Sequence, residues 1–283
     1  MKTITLNDGV TIPAIGFGTF RIPADGSTYR AVREAIDLGY RHVDTALMYG
    51  NEAEVGRAVR DSGVPRAELF VTSKLWLSHY GYERAKVGLE RSLRTLGLDY
   101  VDLYLLHQPY GDLVGAWRAL EEGKAAGRIR SIGVSNMTVN LWNRYVSVFD
   151  TIPSVDQIEC HPLAQQRAIR DFLAPKGVKV ECWGPLAQGR TELLTDPTIG
   201  AIAEAHGRDV GQVILRFELQ EGLIVLPKSV RAERIRSNLE VFDFDLTEEE
   251  MAAIRALDKN AVMRDPETPG VGEMLLAKYP LDD

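Results

Sequence analysis

Four residues of types that can move protons stand at the ends of apolar runs. Asp44 and Tyr49 lie in HVDTALMYGNE, where an apolar run leads into a Gly-Asn-Glu helix start. Lys74 closes the run FVTSKL, and His107 ends the run VDLYLLH. Alternation along these runs places Lys74 and His107 on inward faces, where they are costly to desolvate without partners. The pattern indicates that the four side chains meet at one site.

Each of these residues has an ordinary structural explanation when it is taken alone, as a loop hydrogen bonder, a packing aromatic, a snorkelling lysine or a core histidine. Together they predict proton transfer. A lysine ammonium favours phenolate, so we expect Lys74 to lower the pKa of Tyr49 from about 10 while Asp44 keeps the lysine charged. Tyr49 would then protonate a developing alkoxide, and His107 would polarise the carbonyl oxygen.

Reduction of a carbonyl also needs a hydride, which a nicotinamide cofactor can supply and side chains cannot. The chain lacks the usual glycine fingerprint for such a cofactor, because GFGTFR has arginine where the third glycine would stand. Amide and hydroxyl groups at other strand ends are therefore the candidates for holding a carboxamide, and one indole could stack on a flat ring: Ser135, Asn136, Gln157 and Trp183.

The net charge is −7, from 33 basic and 40 acidic residues, which argues against nucleic acid or an anionic membrane as a partner. The segment KSVRAERIR is a local exception, with four basic residues against one glutamate. Lys228, Ser229 and Val230 precede a predicted helix that carries Arg234. A helix start with these side chains predicts an anion site suited to a phosphate.

Eight short β-branched or apolar runs alternate with longer amphipathic runs, as in repeated βα units. They predict strands over 15–20, 41–46, 70–75, 101–107, 129–135, 154–160, 179–184 and 223–229. Eight such units favour a closed α/β barrel, with a doubly wound open sheet as the alternative. KTITLNDGVTIPAIG predicts a hairpin that closes the lower end of the barrel. TIGAIAEAHG and TEEEMAAIRAL predict two extra helices, and the proline-containing tail predicts a loop.

Bulk properties predict a single domain over residues 1–283. No apolar stretch approaches the ~18 residues of a membrane helix, and the first residues contain no apolar signal region, so we expect a cytoplasmic protein. The two cysteines, Cys160 and Cys182, suit a reducing compartment and buried thiols. Their spacing does not match a metal site, and we expect none.

The motifs GYRHVDTALMYGNE, FVTSKLW, VDLYLLHQP, IGVSN, QIECHP and LPKSVRAERIRSN, in this order, resemble the aldo-keto reductase superfamily over nearly the whole chain. The resemblance implies a monomeric (β/α)8 barrel that reduces aldehydes, ketones or keto acids with NADPH. It implies that Tyr49 is the proton donor, that Asp44 and Lys74 tune it, and that His107 orients the substrate. The cofactor residues implied are Ser135, Asn136, Gln157, Trp183, Gly184, Pro185, Leu186, Lys228, Ser229, Val230, Arg234 and Asn238.

Departures from the family pattern indicate which branch of the superfamily the chain resembles most. Trp183 and Gly184 stand where many members have tyrosine and serine, and Gln108 stands where mammalian members have tryptophan. The short loops resemble the bacterial branch that includes 2,5-diketo-D-gluconic acid reductases, in which Phe20, Trp76 and the tail would line the substrate pocket together with Tyr49 and His107.

Two other functions stay open at this stage. One is a Schiff-base aldolase or lyase that uses Lys74 as its nucleophile. The other is a cofactor-binding sensor subunit with the same fold and little turnover.

Overall fold

The computed structural model describes residues 2–280, in which eight parallel strands surround one axis. Each strand pairs with the strand that precedes it in the chain, so that the order around the barrel is the order of the sequence. After the N-terminal pair β1 and β2, the barrel strands are β3 (Phe17–Gly18), β4 (His42–Asp44), β5 (Phe70–Leu75), β6 (Val101–Leu106), β7 (Ile129–Ser135), β8 (Val155–Glu159), β9 (Lys179–Trp183) and β10 (Ile224–Leu226).

Backbone hydrogen bonds between the first and last barrel strands close the ring. The Gly16 N–H donates to the Val225 carbonyl at 2.9 Å, and the Val225 N–H donates to the Ala14 carbonyl at 3.0 Å. The Gly18 N–H donates to the Pro227 carbonyl at 3.1 Å. An open sheet would leave these edge groups unpaired, so the barrel prediction is confirmed and the doubly wound alternative is wrong.

Two strands, β5 and β7, have the predicted bounds, whereas the others are shorter. The first and the last barrel strands differ most: they were predicted over 15–20 and 223–229 and are present as Phe17–Gly18 and Ile224–Leu226. After the first strand, Thr19 donates both its N–H and its hydroxyl to the Asp44 carbonyl, at 3.0 and 2.9 Å, which ties the strand end to β4.

Helices cover the outside of the barrel and return the chain from one strand to the next. They are α1 (Ser27–Leu38), α2 (Glu52–Arg60), α3 (Tyr82–Leu96), α4 (Leu113–Ala125), α5 (Val139–Tyr145), α6 (Arg167–Leu173), α7 (Thr191–Leu194), α8 (Pro197–His206), α9 (Val210–Gln220), α10 (Ala232–Leu239), α11 (Glu248–Arg255) and α12 (Val271–Lys278). The two predicted extra helices are α8 and α11. No helix within residues 2–280 is long and apolar enough to cross a membrane.

The predicted hairpin lies at the amino-terminal end of the barrel, as expected. Strands β1 (Thr3–Thr5) and β2 (Thr11–Pro13) pair antiparallel around a turn in which the Leu6 N–H donates to the Val10 carbonyl at 2.8 Å. Apolar side chains of the hairpin pack against the lower barrel interior in one cluster of buried residues: Leu6, Ile12, Phe70, Leu103, Leu105, Val155 and Ile224. The hairpin thus completes the core at this end.

The tail corrects one prediction. It was expected to be a loop because of its prolines and glycines, but it contains the two-turn helix α12. Buried Val271 and Leu275 on one side of this helix join the main core, while Met274 is exposed. The prolines all precede the helix or follow it, so they delimit it without interrupting it.

Candidate active site

Three successive strands deliver polar side chains to the carboxyl-terminal end of the barrel. Asp44 ends β4, Lys74 is the penultimate residue of β5, and His107 directly follows β6. Tyr49 ends the 3₁₀ turn Leu47–Tyr49, which Gly50 closes with a φ of 69°. Glycine reaches this left-handed conformation at little steric cost, so the chain can turn immediately after the tyrosine.

Asn51 holds the loop that carries Tyr49. Its fully buried amide donates to the carbonyls of Thr19 and Ile22, at 3.0 and 3.1 Å, and its oxygen accepts from the Thr45 hydroxyl at 2.9 Å. A buried amide with three partners is expensive to move. The hydrogen bonds of Asn51 therefore fix the position of Tyr49. The sequence alone indicated Asn51 only as part of a helix start.

The fully buried Lys74 ammonium joins the other members of the group. It donates to Asp44 Oδ1 at 2.6 Å, to the Thr45 carbonyl at 2.8 Å and to Tyr49 Oη at 3.3 Å. All three hydrogens of the ammonium have an acceptor, which allows a charged lysine to be buried. The structure brings Asp44, Tyr49 and Lys74 into direct contact.

The charge states of this group differ in part from the sequence prediction. Burial acts to lower the pKa of Lys74, but Asp44 and Tyr49 outweigh it and raise the pKa above its ordinary value. A lysine held charged in this way is a poor Schiff-base nucleophile. For Tyr49 the prediction of a lowered pKa is wrong: burial raises it to about 12, because the attraction of Lys74 offsets the burial only in part and Asp44 acts against it.

His107 lies beside Tyr49 and is neutral. Burial and then the charge of Lys74 hold its pKa well below the ordinary value. Its ring centroid is 5.6 Å from that of Tyr49 and 5.1 Å from that of Trp76, and Phe20 lies 5.0 Å from Tyr49 on the other side. A neutral imidazole carries one N–H, which suits it to donate a hydrogen bond without adding positive charge.

An open cleft of about 660 Å³ begins at this group and runs across the end of the barrel. Ser135, Asn136, Gln157 and Trp183 line it as predicted. The Asn136 amide donates to the His107 carbonyl at 3.2 Å and to Ser135 Oγ at 3.0 Å, and its oxygen accepts from the Trp183 indole at 2.8 Å. These bonds hold the half-buried indole of Trp183 in the same cleft that Tyr49 and His107 line.

The residues predicted to form an anion site line the same cleft. They are Lys228, Ser229, Arg234 and Asn238, and the predicted cofactor residues Gly184, Pro185 and Leu186 line the cleft as well. Ser229 Oγ accepts from the Arg231 N–H at 3.1 Å, which orders the turn before α10. Val230, one of the predicted cofactor residues, does not line the cleft: its side chain is 56% exposed, whereas the neighbouring Ser229 is buried.

The tail forms one wall of the cleft, a position that could not be decided from the sequence. Met263, Arg264 and Leu275 line the cleft, whereas Met274 does not. Two buried anchors hold the tail: the Trp76 indole donates to the Tyr279 carbonyl at 3.0 Å, and the Met263 N–H donates to Glu159 at 2.9 Å. Glu159 was not predicted as a functional residue. Its only signal was a charge within a buried strand.

A second residue missed from the sequence, Glu181, lies inside the barrel beneath the cleft. It is fully buried and accepts from the Gln157 amide at 2.6 Å. Alternation within KVECWG already places it on the same face as Trp183, which is the available signal for an inward-facing acid.

Comparison with known proteins gives the family. The model of the aldo/keto reductase family matches residues 14–259. An aldo-keto reductase of Mycolicibacterium smegmatis is 46% identical, over 90% of this chain and 93% of its own. Glyoxal reductase of Bacillus subtilis is 43% identical, over 91% of this chain and 93% of its own. The chain belongs to the aldo/keto reductase family.

A solved structure supports the same assignment for this aldo-keto reductase. The structure of a Gox0644 mutant in complex with NADPH superposes with a TM-score of 0.89 at 43% identity, covering 94% of this chain and 98% of that one. The predictions of an oxidoreductase of this family, and of NADPH as its cofactor, are confirmed. The particular resemblance to 2,5-diketo-D-gluconic acid reductases stays a prediction.

Proposed function

We propose that this enzyme reduces the carbonyl group of small aldehydes, ketones or keto acids to an alcohol, with Tyr49 as the proton donor. The observation that carries the proposal is the contact of Tyr49 Oη with a buried, charged lysine, in a cleft that Lys228 and Arg234 also line. A relative named glyoxal reductase supports a small carbonyl substrate.

Tyr49 supplies the proton, and its raised pKa keeps the hydroxyl protonated at neutral pH. As the proton leaves, negative charge develops on Oη, where the Lys74 ammonium stabilises it most. Asp44 holds that ammonium in place through Oδ1. The lysine thus acts on the tyrosinate formed during the reaction more than on the resting phenol.

His107 orients the substrate by donating a hydrogen bond to the carbonyl oxygen. Because it is neutral, it polarises that oxygen without competing with Tyr49 as a charged acid. Phe20 and Trp76 flank the two groups and exclude water from the carbonyl. Water exclusion strengthens each electrostatic interaction at this point.

The cleft fits NADPH by its chemistry. Ser135, Asn136 and Gln157 offer amide and hydroxyl groups to a carboxamide, and the fixed indole of Trp183 offers a stacking face to the nicotinamide ring. Lys228 and Arg234, with Ser229 and Asn238, would hold the 2′-phosphate and the adenosine at the other end. When bound, NADPH supplies the hydride.

The test is Tyr49→Phe, with Tyr145→Phe outside the cleft as the matched control. Turnover of a carbonyl substrate is measured from the loss of NADPH absorbance. We expect it to fall roughly 10²- to 10⁴-fold in Tyr49→Phe, since general acid catalysis contributes a factor of that size. The control should keep full activity, and both variants should bind NADPH as the wild type does. Full turnover in Tyr49→Phe would disprove the assignment of the proton donor.

A further inference from the structure

The amide of Gln157 bridges two buried carboxyl groups. Its nitrogen donates to Asp44 Oδ2 at 2.9 Å and to Glu181 Oε2 at 2.6 Å. A side-chain amide nitrogen carries two hydrogens, and both are used here. Because the Asp44 carboxylate, which is paired with Lys74, accepts and does not donate, the nitrogen is the end of the amide that must face it. The carbonyl oxygen of Gln157 is therefore the end left for the cleft that this residue lines.

Glu181 reaches this position through the strand register. Gln157 and Glu181 are directly paired on the parallel strands β8 and β9, so both side chains enter the barrel at the same level. Asp44 approaches the amide from β4, on the opposite side of the barrel. Glu181 is fully buried, and its second oxygen lies 3.7 Å from the His42 ring. The proposed chemistry makes no use of this glutamate.

The local charges are compatible with an uncharged Glu181. Lys74 already balances Asp44. Burial, followed by the charge of Asp44, raises the pKa of Glu181 to about 8. A protonated carboxyl group still has an oxygen that accepts from Gln157, and glutamine has nearly the same shape and the same acceptor.

We propose that Glu181 is a positioning residue for the cofactor: with Asp44 it holds both N–H groups of Gln157, so that the Gln157 carbonyl accepts a hydrogen bond from the NH₂ of the nicotinamide carboxamide. The proposal rests on the proposed function, because it presupposes that the nicotinamide lies beside Gln157. Its consequence is selectivity for a ring substituent that can donate a hydrogen bond.

A cofactor analogue isolates this bond. The 3-acetylpyridine analogue of NADP⁺ has a methyl group in place of the carboxamide NH₂ and keeps the carbonyl. The dissociation constants of NADP⁺ and of the analogue, measured by quenching of protein fluorescence, give the selectivity without turnover. We expect the wild type to favour NADP⁺ about tenfold, the magnitude of one buried hydrogen bond.

Two variants of Glu181 test whether this residue is the source of the preference for NADP⁺ over the analogue. In Glu181→Leu the Gln157 amide loses one acceptor and can turn, so the selectivity should fall to about two- to threefold or less. Glu181→Gln keeps the acceptor and should retain the tenfold selectivity. Glu218→Gln is the control, because Glu218 is also fully buried but lies in α9 outside the cleft. It should leave the selectivity unchanged.

The outcomes distinguish failure of the proposed function from failure of the positioning role of Glu181. Failure of the wild type to bind NADP⁺ would overturn the proposed function itself. If the wild type binds both compounds equally, the positioning role is wrong, and this result needs no variant to fold. If Glu181→Leu weakens both compounds by the same factor, Glu181 is only structural and the proposal fails. Lost selectivity in Glu181→Leu with retention in Glu181→Gln supports it.

Discussion

The interior of this barrel is apolar at its amino-terminal end and polar at its carboxyl-terminal end. At the first, Phe70, Leu103 and Leu105 pack against the hairpin with no charge among them. At the second, Asp44 and Lys74 are as deeply buried, yet every hydrogen of the lysine has a partner. The amino-terminal end stabilises the folded protein by removing apolar surface from water. At the carboxyl-terminal end, burying charged groups lowers the stability but provides a preorganised electrostatic site. Stability and chemistry can therefore be changed separately.

The largest expected effect is a separation of stability from turnover: Leu103→Ala should change the stability alone, and Tyr49→Phe the turnover alone. Leu103 is fully buried in the apolar cluster, so its truncation should lower the free energy of unfolding by about 2–5 kcal/mol through lost burial and a residual cavity. The turnover of the folded fraction should stay near that of the wild type, because the site lies at the other end. Urea unfolding and kcat on the same sample measure both quantities.

Val87→Ala is the control for this pair, since Val87 is 63% exposed and its truncation should change neither quantity. If Leu103→Ala abolished turnover in protein that is still folded, the two ends would be coupled through the barrel. The proposed independence of core and site would then be wrong.

A second comparison lies within α10, between two arginines that are two residues apart. Arg234 lines the cleft and Arg236 does not. If Arg234 contacts the 2′-phosphate, Arg234→Ala should weaken NADPH binding about 10- to 100-fold, the range for a hydrogen bond to a charged group, and should leave NADH binding unchanged. Arg236→Ala should alter neither. Equal losses for NADPH and NADH in Arg234→Ala would place this arginine elsewhere on the cofactor.

Sequence patterns were sufficient for the fold and for the side chains that close strands. Alternation placed Lys74 and His107 inward, because the period of a strand is a local property, and the barrel confirms it. The basic excess around Lys228 and Arg234 was visible as composition, and those residues line the cleft. Residues whose partners are close in the chain, or whose face follows from a period, can be identified in this way.

Energies and long-range contacts were not predictable. The pKa of Tyr49 depends on the balance between burial and two opposing charges, and that balance needs the packed structure. Glu181, Gln157 and Asp44 come from three different strands, so their hydrogen bonds could not be foreseen from local sequence. The tail was misjudged because α12 is short and is held by tertiary contacts such as the bond from Trp76 to the Tyr279 carbonyl.

The smallest expected effect concerns the tail, from which the exposed Arg264 and Lys278 line the cleft and add positive charge to it. An exposed charge acts weakly on a ligand, by at most about 1 kcal/mol. Arg264→Ala should therefore raise KM for a keto acid about three- to fivefold and leave KM for a neutral aldehyde unchanged.

Added salt should reduce the difference between the two substrates in the wild type, because it screens the exposed charge. Lys86→Ala, in α3 and away from the cleft, is the matched control for loss of a surface cation. An equal change of KM for both substrates would mean that Arg264 shapes the tail without recognising an anion. A change of KM that is confined to the keto acid and abolished by salt would show that the tail selects acidic substrates, a selectivity that Asp44, Tyr49, Lys74 and His107 do not provide.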